Sequence, residues 1–422
     1  MLQKFKNLGF RWLKKSEKLT KTDMIYFTKG GFWLTVNQFL SSAVAFGLAI
    51  AYANLLTPEV YGAYKYIISV AAIVSIPTLS GIDTAVARAA AQGNRGSLIP
   101  AFNVKLKWGW LACLASIAVA VYYLLVQYNL QLSLAFVLLA LIVSSFESLR
   151  LYQSYLVGLK EFKFLSASMM VIKIVSAITV LIALLLHVDL IWLVVAYFVP
   201  QLLVRWYYWL KTIKKYPPNQ SVDPQTIHLG KQLTVNNIVI SISDQLDQVL
   251  LFNLLGPVQL AIFQFAVAPI EQVKGLLKNI PAIAMPKFAS RSQAEIRKTI
   301  DHRLWRYAAL LTVLVAIYIP LAPWLFQLVF PRYLAAASLS QVFAISLIAV
   351  PLLGIITTIF ESQAMVKQLY KLRLFNAVSQ IVITVGFIVY LGLWGAILAR
   401  VVQRFVSLIA SWWMLRQSEA AQ

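Results

Sequence analysis

Apolar residues in this chain come in long blocks separated by short polar joints. Runs of about 20 apolar residues, the length that a bilayer's hydrocarbon core requires of a helix, recur twelve times. They fall near 31–54, 62–83, 107–128, 131–156, 165–187, 190–210, 234–254, 258–282, 305–329, 336–359, 373–391 and 394–415. The pattern predicts an all-α membrane protein with twelve transmembrane helices. Every second joint is basic: Arg88, Arg95, Lys105 and Lys107; Arg150, Lys160 and Lys163; Lys211, Lys214, Lys215 and Lys231; Lys287, Arg291, Arg297, Lys298 and Arg303; Lys367, Lys371 and Arg373. The joints between them, such as 127–131, 187–189, 253–257 and 391–393, are short and nearly free of positive charge. Lysine and arginine are retained on the cytoplasmic side of a membrane, so both termini are predicted to be cytoplasmic.

Composition agrees with this reading. Hydrophobic residues make up 60% of the 422 positions, charged residues only 12%, and mean hydropathy is +0.75, values that would give a water-soluble globule a mostly apolar surface. A net charge of +22 would suggest nucleic acid in a soluble protein. Here no basic domain stands apart from the apolar segments, and the excess belongs to the basic joints, so no nucleic-acid partner is expected. The single cysteine, Cys113, lies inside an apolar run and cannot form an internal disulfide. Residues 1–28 hold no apolar core long enough for a signal peptide. Leu2, Phe5, Leu8 and Trp12 recur at helical spacing among Lys4, Lys6, Arg11, Lys14 and Lys15, the pattern of an interfacial helix on the inner leaflet. A disordered basic tail is the other reading, because Ser16–Thr22 has no apolar face to bury.

The chain also carries one stretch twice. Gly31–Tyr64 and Gly230–Phe263, 199 residues apart, align without a gap and are identical at ten of thirty-four positions. Leu34-Thr35-Val36-Asn37 matches Leu233-Thr234-Val235-Asn236, and Asn54-Leu55-Leu56 with Pro58 matches Asn253-Leu254-Leu255 with Pro257. At the same offset Arg88 falls on Lys287 and Lys107 on Arg306. A repeat spacing just under half the chain predicts two six-helix lobes. Six helices return the chain to its starting side, so the lobes are related by a pseudo-twofold axis along the membrane normal. The expected organisation is an interfacial segment 1–28, an N-lobe 29–211, a cytoplasmic linker 212–232 containing Pro217-Pro218 and Pro224, a C-lobe 233–416 and a tail 417–422.

Catalytic patterns do not emerge. No outer joint exceeds roughly a dozen residues. No joint clusters histidine with carboxylates, and His187, His228 and His302 sit in three separate places. A glycan polymerase or transferase would need acceptor-binding residues on a sizeable outer loop. There is no glycine-rich phosphate loop, so ATP does not drive the chain directly, and neither cofactor nor metal is expected.

Leu55-Leu56-Thr57-Pro58-Glu59-Val60-Tyr61-Gly62-Ala63-Tyr64, followed by Gly81 and Arg88, resembles the first turn of the Wzx-type polysaccharide flippases. Asp247–Leu251 running into Leu255-Gly256-Pro257 is similar to the seventh helix of that family. The motifs are shared with a wider superfamily that includes drug and cation antiporters and the lipid II flippases. The lipid II flippases commonly have fourteen helices rather than twelve. The resemblance implies a MATE-like fold and transport of an undecaprenyl-diphosphate-linked oligosaccharide across a bacterial inner membrane by alternating access. It also implies membrane lipids, a polysaccharide polymerase and a chain-length regulator as partners, and H+ or Na+ as a coupling ion. A cation-coupled drug antiporter is the alternative.

A sugar head group with its diphosphate cannot cross hydrocarbon unaided, so a polar, partly cationic cavity is expected between the lobes. Lys65, Arg88, Lys173, Lys274 and Lys278 are the cationic candidates, and Asp244, Asp247, Glu271 and Glu147 are candidates for ion coupling. Asp244 and Asp247 share a helix face with Ser241 and Gln248, where the first copy has Ala45 and Leu48. They read as a coupling site or as partners of a basic residue. Glu271, Lys274 and Lys278 read as an ion pair with one spare lysine, or as a diphosphate or sugar contact. Arg88 either holds the membrane boundary or meets substrate. Glu147 is expected to pair with Arg150, and Lys173 to need a partner. Arg400 and Arg404 share one face of the twelfth span, a peripheral helix expected to face lipid. Trp33, Tyr61, Tyr64, Trp324 and Trp394 read as interface-belt anchors, and Pro77, Pro269, Pro281 and Pro351 as kink positions.

Overall fold

A computed structural model describes residues 24–277, 293–363 and 365–417. The described chain is helical throughout except for short joints, with no strand among the described residues. Its helices, in order, are α1 (Met24–Leu55), α2 (Pro58–Val74), α3 (Gly81–Ala91), α4 (Leu98–Leu125), α5 (Leu130–Leu149), α6 (Leu151–Gly158) and α7 (Phe162–Leu185). There follow α8 (Leu190–Lys215), α9 (Thr226–Leu255), α10 (Pro257–Leu277), α11 (Gln293–Val329), α12 (Ala336–Ala344), α13 (Ser346–Ser362) and α14 (Val366–Gln417).

Local chemistry fixes the reversals. Thr57 caps α2 by accepting from the Val60 amide at 3.5 Å, with Pro58 at the first helical position, where a missing N–H costs nothing. The second copy of this turn uses Gly256, whose φ of +86° favours glycine, ahead of Pro257. Asn129 caps α5 by accepting from Leu132 N at 3.0 Å. Gly392 interrupts the 52-residue α14 with φ +57° and ψ −130°. Gln403 Nε2 donates to the Asn376 carbonyl at 3.0 Å, although a straight helix would hold those residues about 40 Å apart. The arms 366–391 and 393–417 therefore form an antiparallel hairpin.

Among the described residues nine helices are long and apolar enough to cross a membrane, or up to ten when the pair Pro58–Val74 and Ile76–Ala91, bent by 41°, counts as one span. The two arms of α14 are separate crossings. Pro257–Leu277, with 21 residues, is also of crossing length. The twelve expected segments are thus accounted for. Pro77 lies at the bend, inside the 3-10 turn Ile76–Thr78, while Pro269 and Pro351 sit within continuous α10 and α13. Pro281 lies outside the described residues. The connection between α8 and α9 is only 216–225, because helix extends into both ends of the expected linker. Large apolar side chains face outward, among them Leu141 at 78% and Val382 at 66% exposed, as a bilayer-facing surface requires.

The two lobes touch near both ends of the bundle. At the end carrying Pro58 and Pro257, a Cβ on Gly62 would lie 1.9 Å from the Pro257 carbonyl oxygen, so only glycine admits this approach. Tyr61 stacks on Phe265 at 4.5 Å beside it. Toward the Arg88 end, Gly81 N donates to Thr234 Oγ1 at 2.9 Å, and a Cβ on Gly81 would meet the Gly230 carbonyl at 2.4 Å. Between these contacts Ser69 donates to Gln248 Oε1 at 2.7 Å. Tyr61 and Tyr64 are 3% and 1% exposed, so the expectation of belt anchors fails for them: they are packed inside, against aromatic neighbours. Trp324 at 61% and Trp394 at 45% exposed remain on the outer surface.

Candidate functional site

Helices α9, α10 and the two arms of α14 enclose a charged cavity of about 410 Å³, lined by Asp244, Glu271, Lys274, Gln380, Thr384, Arg400, Gln403 and Arg404. At about 1.5 Å per residue, Asp247 lies about 12 Å along α9 from Leu255, and Glu271 about 21 Å along α10 from Pro257, both well inside the spans. Arg400 Nε donates to Asp247, whose side chain is 3% exposed. Arg404 reaches Glu271, which also holds Lys274 one turn further along α10, and Arg404 bonds Ser346 Oγ in addition. Arg400 stacks over Phe263 at 4.9 Å and Arg404 over Phe343 at 4.5 Å. Among the described residues Asp244 has no ion-pair partner. The lining holds three cations and two carboxylates, and Asp247 behind Arg400 brings the cluster to three of each sign.

A second cavity of about 500 Å³ shares Asp244 and Gln380 with the first and reaches the N-lobe at Ser80. Its remaining polar lining is Asn237, Ser241, Ser243, Arg373 and Asn376. Two buried acceptors, Asn376 Oδ1 and Gln403 Oε1, receive no hydrogen bond from the protein. The opposite end of the Gln403 amide is saturated, donating to the Asn376 carbonyl, to Ser379 Oγ at 2.9 Å and to Ser407 Oγ at 3.2 Å. The cleft therefore combines polar side chains with three cations, Lys274, Arg400 and Arg404, a lining able to meet a ligand that brings hydroxyls and an anion.

The N-lobe has its own charge cluster at the breaks in two of its spans. Lys105, fully buried, donates to Asp83 at 2.6 Å, and Arg150, at the α5–α6 break, bonds Asp83 at 3.0 Å and Glu147 at 3.2 Å. The expected Glu147–Arg150 pair is thus present, and Asp83 joins it. Lys65 lies on the face of α2 that carries Tyr61 and Ser69, with its Nζ 5.5 Å from the Tyr61 ring and no carboxylate within ion-pair distance among the described residues. Arg88 is exposed in the last turn of α3, where its charge favours the helix C-terminus.

Two expectations need correcting. Lys173 is exposed on α7 and has no ion-pair partner among the described residues. Arg400 and Arg404 do not face lipid: both line the charged cavity, because the hairpin at Gly392 folds the second arm of α14 back against α9 and α10. Their spacing of four residues placed them on one face, and no local signal said which side that face turned to. Lys278 lies outside the described residues.

A helical bundle of two repeated lobes, with polar cavities held inside the spans and contacts between lobes near both ends, is the architecture of an alternating-access membrane transporter. Residues 27–286 match the family model described as polysaccharide biosynthesis protein, and the chain belongs to that family. No curated protein matches it significantly in sequence. Among solved structures it is similar to the lipid II flippase MurJ in an inward closed conformation, with 13% identity, 90% of this chain and 87% of that one covered, and a TM-score of 0.67. It is also similar to a MATE transporter in complex with MaD5, at 14% identity, 96% and 98% coverage and a TM-score of 0.64. A MOP superfamily transporter from Pyrococcus furiosus, described as having a binding pocket of reversed polarity, aligns at 14% identity, 93% and 96% coverage and a TM-score of 0.57. At these identities the structures establish a shared fold.

Proposed function

We propose that this chain is a flippase that moves an undecaprenyl-diphosphate-linked oligosaccharide from the cytoplasmic to the outer leaflet of a bacterial inner membrane, with both termini in the cytoplasm. The observation that carries this reading is the double polar cleft joined at Asp244 and Gln380, with Lys274, Arg400 and Arg404 on its wall. Sugar hydroxyls meet the polar side chains of the lining, and the diphosphate meets Lys274, Arg400 and Arg404. The isoprenoid tail stays in the bilayer, and the lobes rock about the glycine contacts at Gly62 and Gly81. Glycosyl chemistry is left to partners, a polymerase and a chain-length regulator, that consume the exported unit. The lipid II flippase neighbour and the family membership support the same reading.

A second reading, a cation-coupled antiporter, is favoured by one feature: Asp244 has no ion pair among the described residues and so is open to exchange a proton or Na+. The three cations that the lining presents, Lys274, Arg400 and Arg404, weigh against a cationic drug as the cargo. Cells lacking this chain, complemented with wild type, Arg88→Ala or Lys274→Ala, separate the two. Lipid-linked oligosaccharide accumulating on the cytoplasmic face, unrelieved by Lys274→Ala, is the expected result. Unchanged lipid-linked intermediates with raised sensitivity to cationic drugs would instead establish the antiporter.

A further inference from the structure

The two lobes carry the same arginine seat but complete it differently. In the C-lobe Arg404, from the last span, stacks on Phe343 and pairs with Glu271 of α10. In the N-lobe Arg205, from the sixth span, lies 3.6 Å from the Phe146 ring centroid and donates to the Phe146 carbonyl at 2.8 Å. Glu271 is fourteen residues after Pro257, the first residue of α10. The residue fourteen positions after Pro58, the first residue of α2, is Ala72. The carboxylate that completes the C-lobe seat thus has no counterpart on the N-lobe helix.

What stands there is a cavity. It has a volume of about 170 Å³, and its polar lining is Ser75, Glu147, Arg150, Gln201 and Arg205, with Ala72 beside them. Arg205 is 9% exposed, and its Nε has no hydrogen-bond partner. The acids nearby are already engaged: Glu147 by Arg150, and Asp83 by Arg150 and Lys105. Across this cluster, Lys105, Arg150 and Arg205 outnumber Asp83 and Glu147 by one positive charge. Glu147 stands on the same wall but is bonded to Arg150, so two guanidiniums share one carboxylate there, and the remaining positive charge calls for an anion from outside the chain.

We propose that the N-lobe cavity binds one small oxyanion, a carboxylate or a phosphate group, on Arg205, in the place that the Glu271 carboxylate takes in the C-lobe. A planar guanidinium presents paired donors that match either group. Gln201 and Ser75 stand on the same cavity wall. This site is separate from the C-lobe cleft and does not depend on the flippase reading.

The test uses the purified full-length protein in detergent, first in a buffer free of phosphate and carboxylates. Titration with inorganic phosphate, and separately with acetate, is expected to raise the melting temperature of the wild type saturably. Ala72→Glu supplies its own carboxylate: it is expected to melt higher than wild type without added anion and to lose the response. Ala72→Gln fills the same space without charge, so it is expected to melt below Ala72→Glu. A wild type that does not respond to either anion, or Glu and Gln variants that melt alike, overturns the proposal. Reconstituted vesicles then identify the source of the group. Transport lost in Ala72→Glu and inhibited by phosphate assigns the oxyanion to the cargo, and transport kept in Ala72→Glu assigns it to a free resident ion.

Discussion

Arg400 donates its Nε hydrogen to Asp247 across 153 residues of sequence, tying the second arm of α14 to α9 inside the membrane span. Asp247 also accepts from its neighbour's amide, Gln248 N, at 2.7 Å. Asp247 is buried while Arg400 lines the cavity, so the carboxylate relies on these donors in place of water.

Removing one member of that pair leaves a buried charge without compensation. Asp247→Asn or Arg400→Gln alone is expected to destabilise the protein by about 3–5 kcal/mol, whereas the double variant recovers most of the loss. Thermal unfolding of the purified protein in detergent checks this. If the single and double variants melt alike, the pair is not the source of the stability.

The approach of Gly62 to Pro257 sets how closely the lobes meet at that end. Gly62→Val forces α2 away from α10, since even a Cβ would sit 1.9 Å from the Pro257 oxygen. Transport is expected to fail while the protein still reaches the membrane. Asn54 and Val329, joined across the same end by a 3.4 Å hydrogen bond, give the readout. A short cross-linker between cysteines at those two positions should react in the wild-type background and not with Gly62→Val.

Charge position, rather than charge count, should govern export. Lys274→Ala and Arg404→Ala each free Glu271 from one of its two cations and remove a positive charge from the cleft, and both are expected to lower export by tenfold or more, about 1.4 kcal/mol or above in transport barrier. Lys173→Ala, on the exposed side of α7, is expected to leave export near wild type. Accumulated lipid-linked oligosaccharide in complemented cells measures all three. Wild-type export from Arg404→Ala would rule the C-lobe cleft out as the path.

Tyr333, in the turn between α11 and α12, carries a buried hydroxyl with no partner. Burial pushes its pKa from 10.0 up to about 12; Arg332 opposes the shift and Glu59 adds to it. The folded state thus holds this proton where the unfolded chain releases it. Stability from the shift is full below pH 10 and is lost as pH rises through about 12. Tyr333→Phe removes the unsatisfied hydroxyl and is expected to raise stability at pH 8 by about 1–3 kcal/mol. It should also flatten the decline above pH 10, seen by comparing melting temperatures at pH 8 and pH 11. A variant that melts lower at pH 8 would contradict this account.

The sequence by itself determined the solvent, the number of crossings and the duplication. Each of these is written locally: twelve apolar blocks long enough for hydrocarbon, and a gapless repeat beginning at Gly31 and Gly230. It also showed, by their helical spacing, that Glu147 belongs with Arg150 and Glu271 with Lys274, because residues three apart meet on any helix. Which way a helix face turns is not local. The partners of Asp247 and Glu271 on the twelfth span lie more than 130 residues away, and only the fold-back at Gly392 brings Arg400 and Arg404 to them. Tyr61 and Tyr64 looked like boundary anchors and are packed inside, since the same aromatic chemistry serves both settings. Tertiary structure alone decided which of many intramembrane charges share a cavity and which are already neutralised, because that depends on distances between spans that no spacing along the chain records.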